Sequence, residues 1–148
     1  MINSYYSRTT LAQQPTDYTT QVGTGLSESV PFNGEGGCNQ IGGYDKINQS
    51  INDILVTPLG TRFMRPDYGS NLYTLLYMEC DRTNSVLAQN YIKEALDKWE
   101  HRVKFLDISV IPLPDYNTLY INITYKLNEV DGGNGKYTFF YDLERGYV

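Results

Sequence analysis

The clearest signal of the fold is the stretch NSVLAQNYIKEALDKWEHR, residues 84–102. Its apolar residues recur every three or four positions with polar residues between them, which is the period of an amphipathic helix and excludes a strand. Thr83 or Asn84 is placed to cap the start of this helix. The predicted apolar face consists of Val86, Leu87, Ala88, Tyr91, Ile92, Ala95, Leu96 and Trp99.

Two further helices are predicted upstream of this stretch. The first has apolar residues at helical spacing, namely Tyr44, Ile47, Ile51, Ile54 and Leu55. It must end near residue 57 because the residue before a proline, here Pro58, is disfavoured in helical geometry. Ser70 is placed to cap a second, short helix. Between the two lie the segments TPLGTR (57–62) and RPDYGS (65–70), whose glycines and prolines indicate turns.

After residue 102 the period changes from helical to alternating. Leu106, Ile108 and Val110 alternate with polar residues, which predicts a half-buried strand. Alternation over 119–127 predicts a second strand, and the aromatic run 137–141 a third. We therefore expect an α+β fold: a small two-layer domain with about three helices packed on a three-stranded, mainly antiparallel sheet.

The chain divides in composition near residue 43. Residues 1–43 are rich in Thr, Gln, Gly, Ser and Tyr, contain no lysine and show neither helical nor strand periodicity. Such a segment buries too little apolar area to offset the entropy of ordering it. A disordered tail and an extended arm on partner subunits both fit this composition. We predict an extended low-complexity N-terminal arm over 1–43 and a folded domain over 44–148.

Composition and charge exclude several classes of partner. The 148 residues carry a net charge of −5, which argues against nucleic acid. No apolar run approaches the roughly 20 residues needed to cross a bilayer, and the N-terminus lacks the apolar core of a signal peptide. Cys38 and Cys80 are interpreted as two reduced thiols rather than a disulfide. The 14 tyrosines suit interfaces as well as cores.

No pattern of residues indicates catalysis or metal binding. The chain has one histidine, no paired cysteines, no nucleophile elbow and no glycine-rich phosphate loop between a strand and a helix. The carboxylates that could be combined into a glycosidase-like pair are Glu79, Asp81, Glu100 and Asp107, but their spacing proves nothing. We predict a protein that is not an enzyme and has no cofactor, no metal and no small-molecule substrate.

The group Glu100-His101-Arg102 at the end of the long helix has two interpretations. In the structural one, Arg102 interacts with the helix dipole for about 0.3–1 kcal/mol, and Trp99 is a core anchor whose truncation costs about 3–5 kcal/mol. In the functional one, Glu100 and Arg102 make charge-assisted hydrogen bonds to another chain. Residue types alone do not decide between them.

From about Tyr44 to Tyr141 the chain resembles the gene-product-25-like family of contractile-tail baseplate wedge proteins. Members occur in contractile phages, phage-derived injection particles and type VI secretion baseplates. A Thr-x-x-Gly-x-Arg turn, a Pro-x-aromatic-Gly turn and a Glu-Pro-Arg motif at the end of the long helix carry the resemblance. The matching turn residues are Gly60, Arg62, Pro66, Tyr68 and Gly69. The third motif keeps Glu100 and Arg102 but has His101 in place of its proline.

The resemblance implies a non-enzymatic wedge component of the virion tail baseplate, assembled in the host cytoplasm between the baseplate and the first sheath ring. In that family the Glu-x-Arg motif holds the protein to the helical core bundle of other wedge subunits. This implies a docking group of Trp99, Glu100, His101 and Arg102. Sheath subunits would add strands to the C-terminal sheet by β-augmentation. The sheath-facing strand is expected to carry Tyr137, Phe139 and Tyr141.

The N-terminal arm is expected to reach other subunits, with tube or hub proteins as candidates. A tail-associated peptidoglycan hydrolase stays open as an alternative, and clearing in a zymogram would identify it. A soluble regulatory adaptor on the same fold also stays open, and the absence of neighbouring sheath and tube genes would favour it.

Overall fold

The computed structural model describes residues 22–27, 37–128 and 134–147. Two short antiparallel strands, β1 (Thr24–Leu26) and β2 (Gln40–Gly42), lead into helix α1 (Gly43–Val56), and helix α2 (Arg82–Trp99) follows after a 3-10 helix (Leu72–Leu75). The main sheet has four antiparallel strands in the order β3-β4-β5-β6. These are β3 (Val103–Leu113), β4 (Thr118–Leu127), β5 (Asn134–Asp142) and β6 (Gly146–Tyr147), with a 3-10 turn, Pro114–Tyr116, between β3 and β4.

The α+β class is confirmed, but the predicted count of three helices is wrong for the described residues, which contain two α-helices. The segment after Ser70 forms a single 3-10 turn. Leu72 and Leu75 are 1% and 0% exposed, and residues three apart lie on the same side of a 3-10 helix. The turn ends because Leu76 is extended and Tyr77 has a positive φ of 65°.

The helix ends are set by local hydrogen bonds. The Thr57 hydroxyl donates to the carbonyl oxygen of Asp53 at 2.6 Å, which closes α1 just before Pro58, as predicted. The prediction for the start of α2 is wrong, because Asp81 is the cap: its Oδ1 accepts from the backbone N–H of Asn84 at 2.7 Å. The helix therefore begins at Arg82, ahead of both predicted caps.

The core lies between the two α-helices and the inner face of the sheet. Residues 119, 121, 123, 125 and 127 of β4 are buried, and those between them are half-buried on the outer face. The helices contribute Ile47, Ile51, Ile54, Ile92 and Leu96, none more than 1% exposed. Full burial of such a side chain stabilises by about 1.5–3 kcal/mol, so this interface dominates the stability of the fold.

Two tyrosines fasten the sheet to α1. The Tyr125 hydroxyl donates to Asn48 Oδ1 at 2.7 Å, and the Tyr137 hydroxyl donates to Asn52 Oδ1 at 2.8 Å. Burial raises the pKa of Tyr125, so its hydroxyl keeps its proton and remains a donor. Helix α1 and the sheet are thus joined by specific polar contacts as well as by apolar packing.

Part of the predicted N-terminal arm lies against the domain. Val22 is 5% exposed and belongs to the core, and β1 and β2 form their own two-stranded sheet next to α1. Residues 1–21 and 28–36, where most of the predicted arm falls, lie outside the described residues. The division into an arm and a domain at residue 43 stays a prediction.

Candidate functional site

The two predicted turns form one closed loop, residues 57–70, which we call the 57–70 loop. The backbone N–H of Ser70 donates to Thr57 O at 3.0 Å, and the N–H of Leu59 donates to Ser70 O at 3.1 Å. Farther out, the N–H of Gly60 donates to Pro66 O at 2.8 Å. Gly69 has a φ of 113°, and a Cβ there would collide with the carbonyl oxygen of Thr57. Closure of the loop therefore requires glycine at this position.

The 57–70 loop packs on the end of α2 through aromatic rings and cations. The ring centroids of Tyr68 and Trp99 are 5.1 Å apart. The Arg62 guanidinium lies 4.2 Å from the Tyr68 centroid. The Arg65 guanidinium and the Lys98 ammonium lie 5.8 and 5.2 Å from the Trp99 centroid. We call these five residues the aromatic–cation cluster. Each such contact stabilises by about 0.5–1 kcal/mol at an exposed site.

Glu100 points into the protein and is held there by Arg102. Glu100 is 3% exposed. Arg102 binds its carboxylate in a fork, with Nε 2.7 Å from Oε1 and Nη2 2.5 Å from Oε2. Arg102 Nη1 also donates to the carbonyl oxygen of Val22 at 3.4 Å. The pair therefore joins the end of α2, the start of β3 and the chain segment before β1.

The electrostatics agree with a charged pair. Burial alone would raise the pKa of Glu100, but hydrogen bonds from Arg102 and Ser50 and the charge of Arg102 outweigh it and hold that pKa below its ordinary value. The hydrogen bond to Glu100 raises the pKa of Arg102 against the opposing effect of burial. Glu100 is thus ionised at neutral pH although its side chain is only 2% exposed.

His101 lies on the surface between the two members of this pair. Its side chain is exposed, and its carbonyl oxygen accepts from Asn128 Nδ2 at 2.8 Å. The backbone N–H of Asn128 also donates to Arg102 O at 3.2 Å. These two bonds fasten the start of β3 to the end of β4 without using the imidazole.

The three aromatic residues expected on the sheath-facing strand point inward. Phe139 and Tyr141 are 6% and 4% exposed, and Tyr137 contacts α1. Burial raises the pKa of Tyr141 to about 12. Alternation places Lys136, Thr138 and Phe140 on the exposed side of β5. Contact with a partner through the backbone of β5 stays a prediction.

Several residues of this region were not singled out from the sequence. Arg65 and Lys98 belong to the aromatic–cation cluster, and Phe63 and Met64 are 87% and 85% exposed at the tip of the 57–70 loop. Periodicity does not predict which way side chains point within a turn. The available sequence signal for this exposed pair was the pattern Arg-Phe-Met-Arg, in which two apolar residues lie between two cations. The buried Nε1 of Trp99 has no hydrogen-bond partner among the described residues.

The described ranges contain no group of three or more His, Cys, Asp or Glu residues that could hold a metal ion. None of the helices in these ranges is both long and apolar enough to span a bilayer. Cys38 and Cys80 are free thiols, and Cys80 Sγ donates to Thr118 O at 3.4 Å.

Sequence comparison identifies a matching family. Residues 42–131 match the family described as baseplate wedge protein gp25, a range that runs from α1 through β4. Baseplate protein W of Escherichia phage P2 is 39% identical over 69 residues, and the match covers 44% of this chain and 56% of the phage protein. The chain thus spans little more than half the length of that curated relative.

Three solved structures have a similar fold. A protein from Geobacter sulfurreducens, provisionally named a tail lysozyme, is 33% identical with a TM-score of 0.57, and the match covers 65% of this chain and 88% of that one. A chain of the post-contraction pyocin R2 baseplate is 28% identical with a TM-score of 0.51, over 74% and 99%. A chain of the anti-feeding prophage baseplate has a TM-score of 0.65 over 78% and 94%, and at 24% identity it shows the fold alone.

Proposed function

Since the chain belongs to the family of baseplate wedge protein gp25, we propose that it is a structural wedge component of a contractile tail or of a related injection particle. The observation that carries this proposal is the family match over 42–131, which includes the 57–70 loop, α2 and the Glu100–Arg102 pair. Homologues are baseplate components of a phage tail and of a related particle, pyocin R2. The role is an assembly role and not a catalytic one.

We assign docking on the wedge to the surface formed by the aromatic–cation cluster, His101 and Arg102. Arg102 is 37% exposed, and three of its five side-chain N–H donors are used by Glu100 and Val22. Two donors remain for an acceptor on another chain, and Glu100 fixes the direction in which they point. Glu100 therefore acts as a positioning residue, while Arg102 makes the contact. The partner we assign to this surface is the helical core bundle of other wedge subunits.

We assign sheath templating to the β5–β6 end of the main sheet. β4 is a central strand, paired on both sides, and so it is not an edge on which a partner can add a strand. β6 is two residues long and pairs only with Tyr141 and Asp142 of β5. A sheath arm that pairs along β6 would extend the sheet by β-augmentation, in which backbone hydrogen bonds supply the affinity. Tube or hub proteins are the partners proposed for the N-terminal arm.

The test is to mix purified protein with the sheath subunit of the same tail and to score sheath growth by electron microscopy. Seeded growth from particles that contain this chain, and none from sheath subunit alone, is the expected result. The matched variant lacks residues 146–148 and so loses β6. If the full chain seeds no sheath, the templating role is wrong, whereas an equal effect of both chains places the template elsewhere than at β6.

Peptidoglycan hydrolysis is the second candidate, because one structural relative is provisionally named a tail lysozyme. A glycosidase needs a carboxylic acid whose pKa is raised so that it can donate a proton. Glu100 has a lowered pKa and is closed off by Arg102, and Asp81 caps α2. We therefore expect no clearing in a zymogram with the purified protein, and clearing would restore this candidate.

A further inference from the structure

The tip of the 57–70 loop presents two large apolar side chains to solvent. Phe63 and Met64 are 87% and 85% exposed, and Leu59 in the same loop is 38% exposed. Single exposed apolar residues are common on protein surfaces and need no explanation. Two adjacent ones form an exposed apolar patch, which we call the Phe63–Met64 tip.

The loop that carries this tip is held in one conformation. The N–H of Arg65 donates to Arg62 O at 3.2 Å across the tip, and the N–H of Tyr68 donates to Arg65 O at 3.1 Å just after it. The Thr61 hydroxyl donates to Pro58 O at 2.8 Å. Binding through a preorganised loop loses little conformational entropy, so the tip is suited to act as an anchor.

Met64 adopts a conformation that glycine would adopt more easily. Its φ is 62°, in the left-handed region that is unfavourable for residues with a Cβ. The chain thus places a long apolar side chain where it is both strained and exposed. Strain of this kind collects at sites of function, because folding alone does not select for it. Methionine is also adaptable enough to fit an irregular socket.

The charges around the tip define the kind of surface that it fits. Arg62 and Arg65 flank it, and within the described ranges neither forms an ion pair with a carboxylate. Lys98 Nζ lies 3.7 Å from Asp67 Oδ2 and donates to Asp67 O at 3.5 Å, and both side chains are more than half exposed. A guanidinium has five N–H donors in a planar fork that matches the geometry of a carboxylate. The rim of the tip is therefore cationic, although the whole chain has a net charge of −5.

We propose that the Phe63–Met64 tip is an anchor that inserts into an apolar socket, rimmed by Asp or Glu side chains, on a different protein subunit. Phe63 fills the socket, Met64 adapts to its wall, and Arg62 and Arg65 pair with the carboxylates at the rim. Aromatic and arginine side chains are the residue types that carry most of the affinity in protein interfaces. This anchor presupposes the baseplate role proposed above and extends the docking surface assigned there, with which it shares Arg62 and Arg65.

The experiment uses tail particles assembled in cells that lack the chromosomal copy of this gene and express a tagged variant. The test variant is the double substitution Phe63→Ser with Met64→Gly, which removes both anchors and relieves the positive φ. The matched control is Val86→Ser, an apolar residue of α2 that is 51% exposed and about 20 Å from Trp99 along the helix. We expect incorporation into purified particles to fall at least about tenfold for the double variant and to be unchanged for the control.

The outcomes separate this proposal from the proposed function. If the wild-type chain is missing from the particles, the baseplate role itself is wrong. If the wild type is incorporated and the double variant is incorporated equally well, only the anchor is wrong. In a separate measurement, a photo-crosslinking amino acid replaces Phe63 in the otherwise wild-type chain and identifies which subunit contacts the tip in the assembled particle. Crosslinks to a segment of another subunit with Asp or Glu beside apolar residues support the proposal, whereas crosslinks to a second copy of this chain, to a basic segment or to nothing overturn it.

Discussion

Two neighbouring parts of the molecule place their side chains in opposite ways. At the end of α2 a charged residue, Glu100, is 3% exposed, whereas at the tip of the 57–70 loop an aromatic residue, Phe63, is 87% exposed. Glu100 is fixed by the fork of Arg102, and the loop is fixed by hydrogen bonds between its own backbone groups. The charged pair joins the end of α2, the start of β3 and the segment before β1, which together we call the frame. The apolar pair forms the contact surface proposed above. Residue type alone would have assigned them the other way round.

The largest expected effect is the loss of Arg102, which breaks the frame. Arg102→Ala leaves the carboxylate of Glu100 buried without its partner, and breaking a buried pair in this way costs about 3–5 kcal/mol. Glu100→Ala should cost less, because the remaining charge, on Arg102, is 37% exposed and can be hydrated. Urea denaturation at pH 7 measures both free energies of unfolding. Equal stability of Arg102→Ala and wild type would show that the pair does not hold the frame.

The structural role of the Glu100–Arg102 pair also determines which variant can test docking. Because the pair is structural, failure of an Arg102→Ala variant to assemble would not by itself show that Arg102 touches a partner. Arg102→Lys keeps the charge but loses the fork geometry. Its incorporation into particles should be compared with its unfolding free energy. If Arg102→Lys is incorporated less well than its loss of stability accounts for, the guanidinium makes a contact with a partner.

The next effect concerns closure of the 57–70 loop. Gly69→Ala forces a Cβ against Thr57 O at a φ of 113°, so we expect a loss of about 2–4 kcal/mol from strain and close contact together. Gly60→Ala is the matched control, because Gly60 has a φ of 86° but open space around its Cβ position. It should cost only about 1 kcal/mol. Thermal denaturation followed by circular dichroism distinguishes the two, and equal losses would mean that the contact with Thr57 O is unimportant.

A smaller effect follows from the titration of Glu100. Its pKa is lowered in the folded protein, so its ion pair stabilises the fold above its ordinary pKa of about 4.3. That contribution is lost as the pH falls through the lowered pKa of the folded state. Unfolding free energies of wild type and Glu100→Gln should therefore converge as the pH falls below about 4. A difference that stays constant with pH would show that folding does not lower the pKa of Glu100.

Most of the fold was predictable because periodicity reports burial directly. The alternation over 119–127 and the helical period over 84–99 both matched β4 and α2. Short elements escaped this reasoning. β6 has two residues, and the turn after Ser70 has the 3-10 period because it needs to bury only Leu72 and Leu75. Asp81 was missed as a cap because Thr83 and Asn84 are equally good capping types.

The direction of the site residues was less predictable, because contacts distant in sequence decide it. Arg102 bonds to Val22, 80 residues earlier, and Tyr137 bonds to Asn52, 85 residues earlier. The sequence around residues 99–102 contains no pattern that predicts the contact of Arg102 with Val22. The motif residues Arg62, Tyr68 and Trp99 do come together in space. Whether their surface docks on a wedge subunit is what the assembly experiments decide.

The smallest expected effect is on stability at the Phe63–Met64 tip. Phe63→Ser removes a ring that is 87% exposed, so the folded state loses almost no packing. Met64→Gly relieves a φ of 62°, which stabilises the folded state, but it also gives the unfolded chain more freedom. These two contributions are opposite in sign, and exposed substitutions of this kind usually stay within about 0.5 kcal/mol. Chemical denaturation of the double variant should thus overlay that of wild type, while its incorporation into particles falls. A clear loss of stability would instead make the tip part of the frame, and the contrast with Glu100 would disappear.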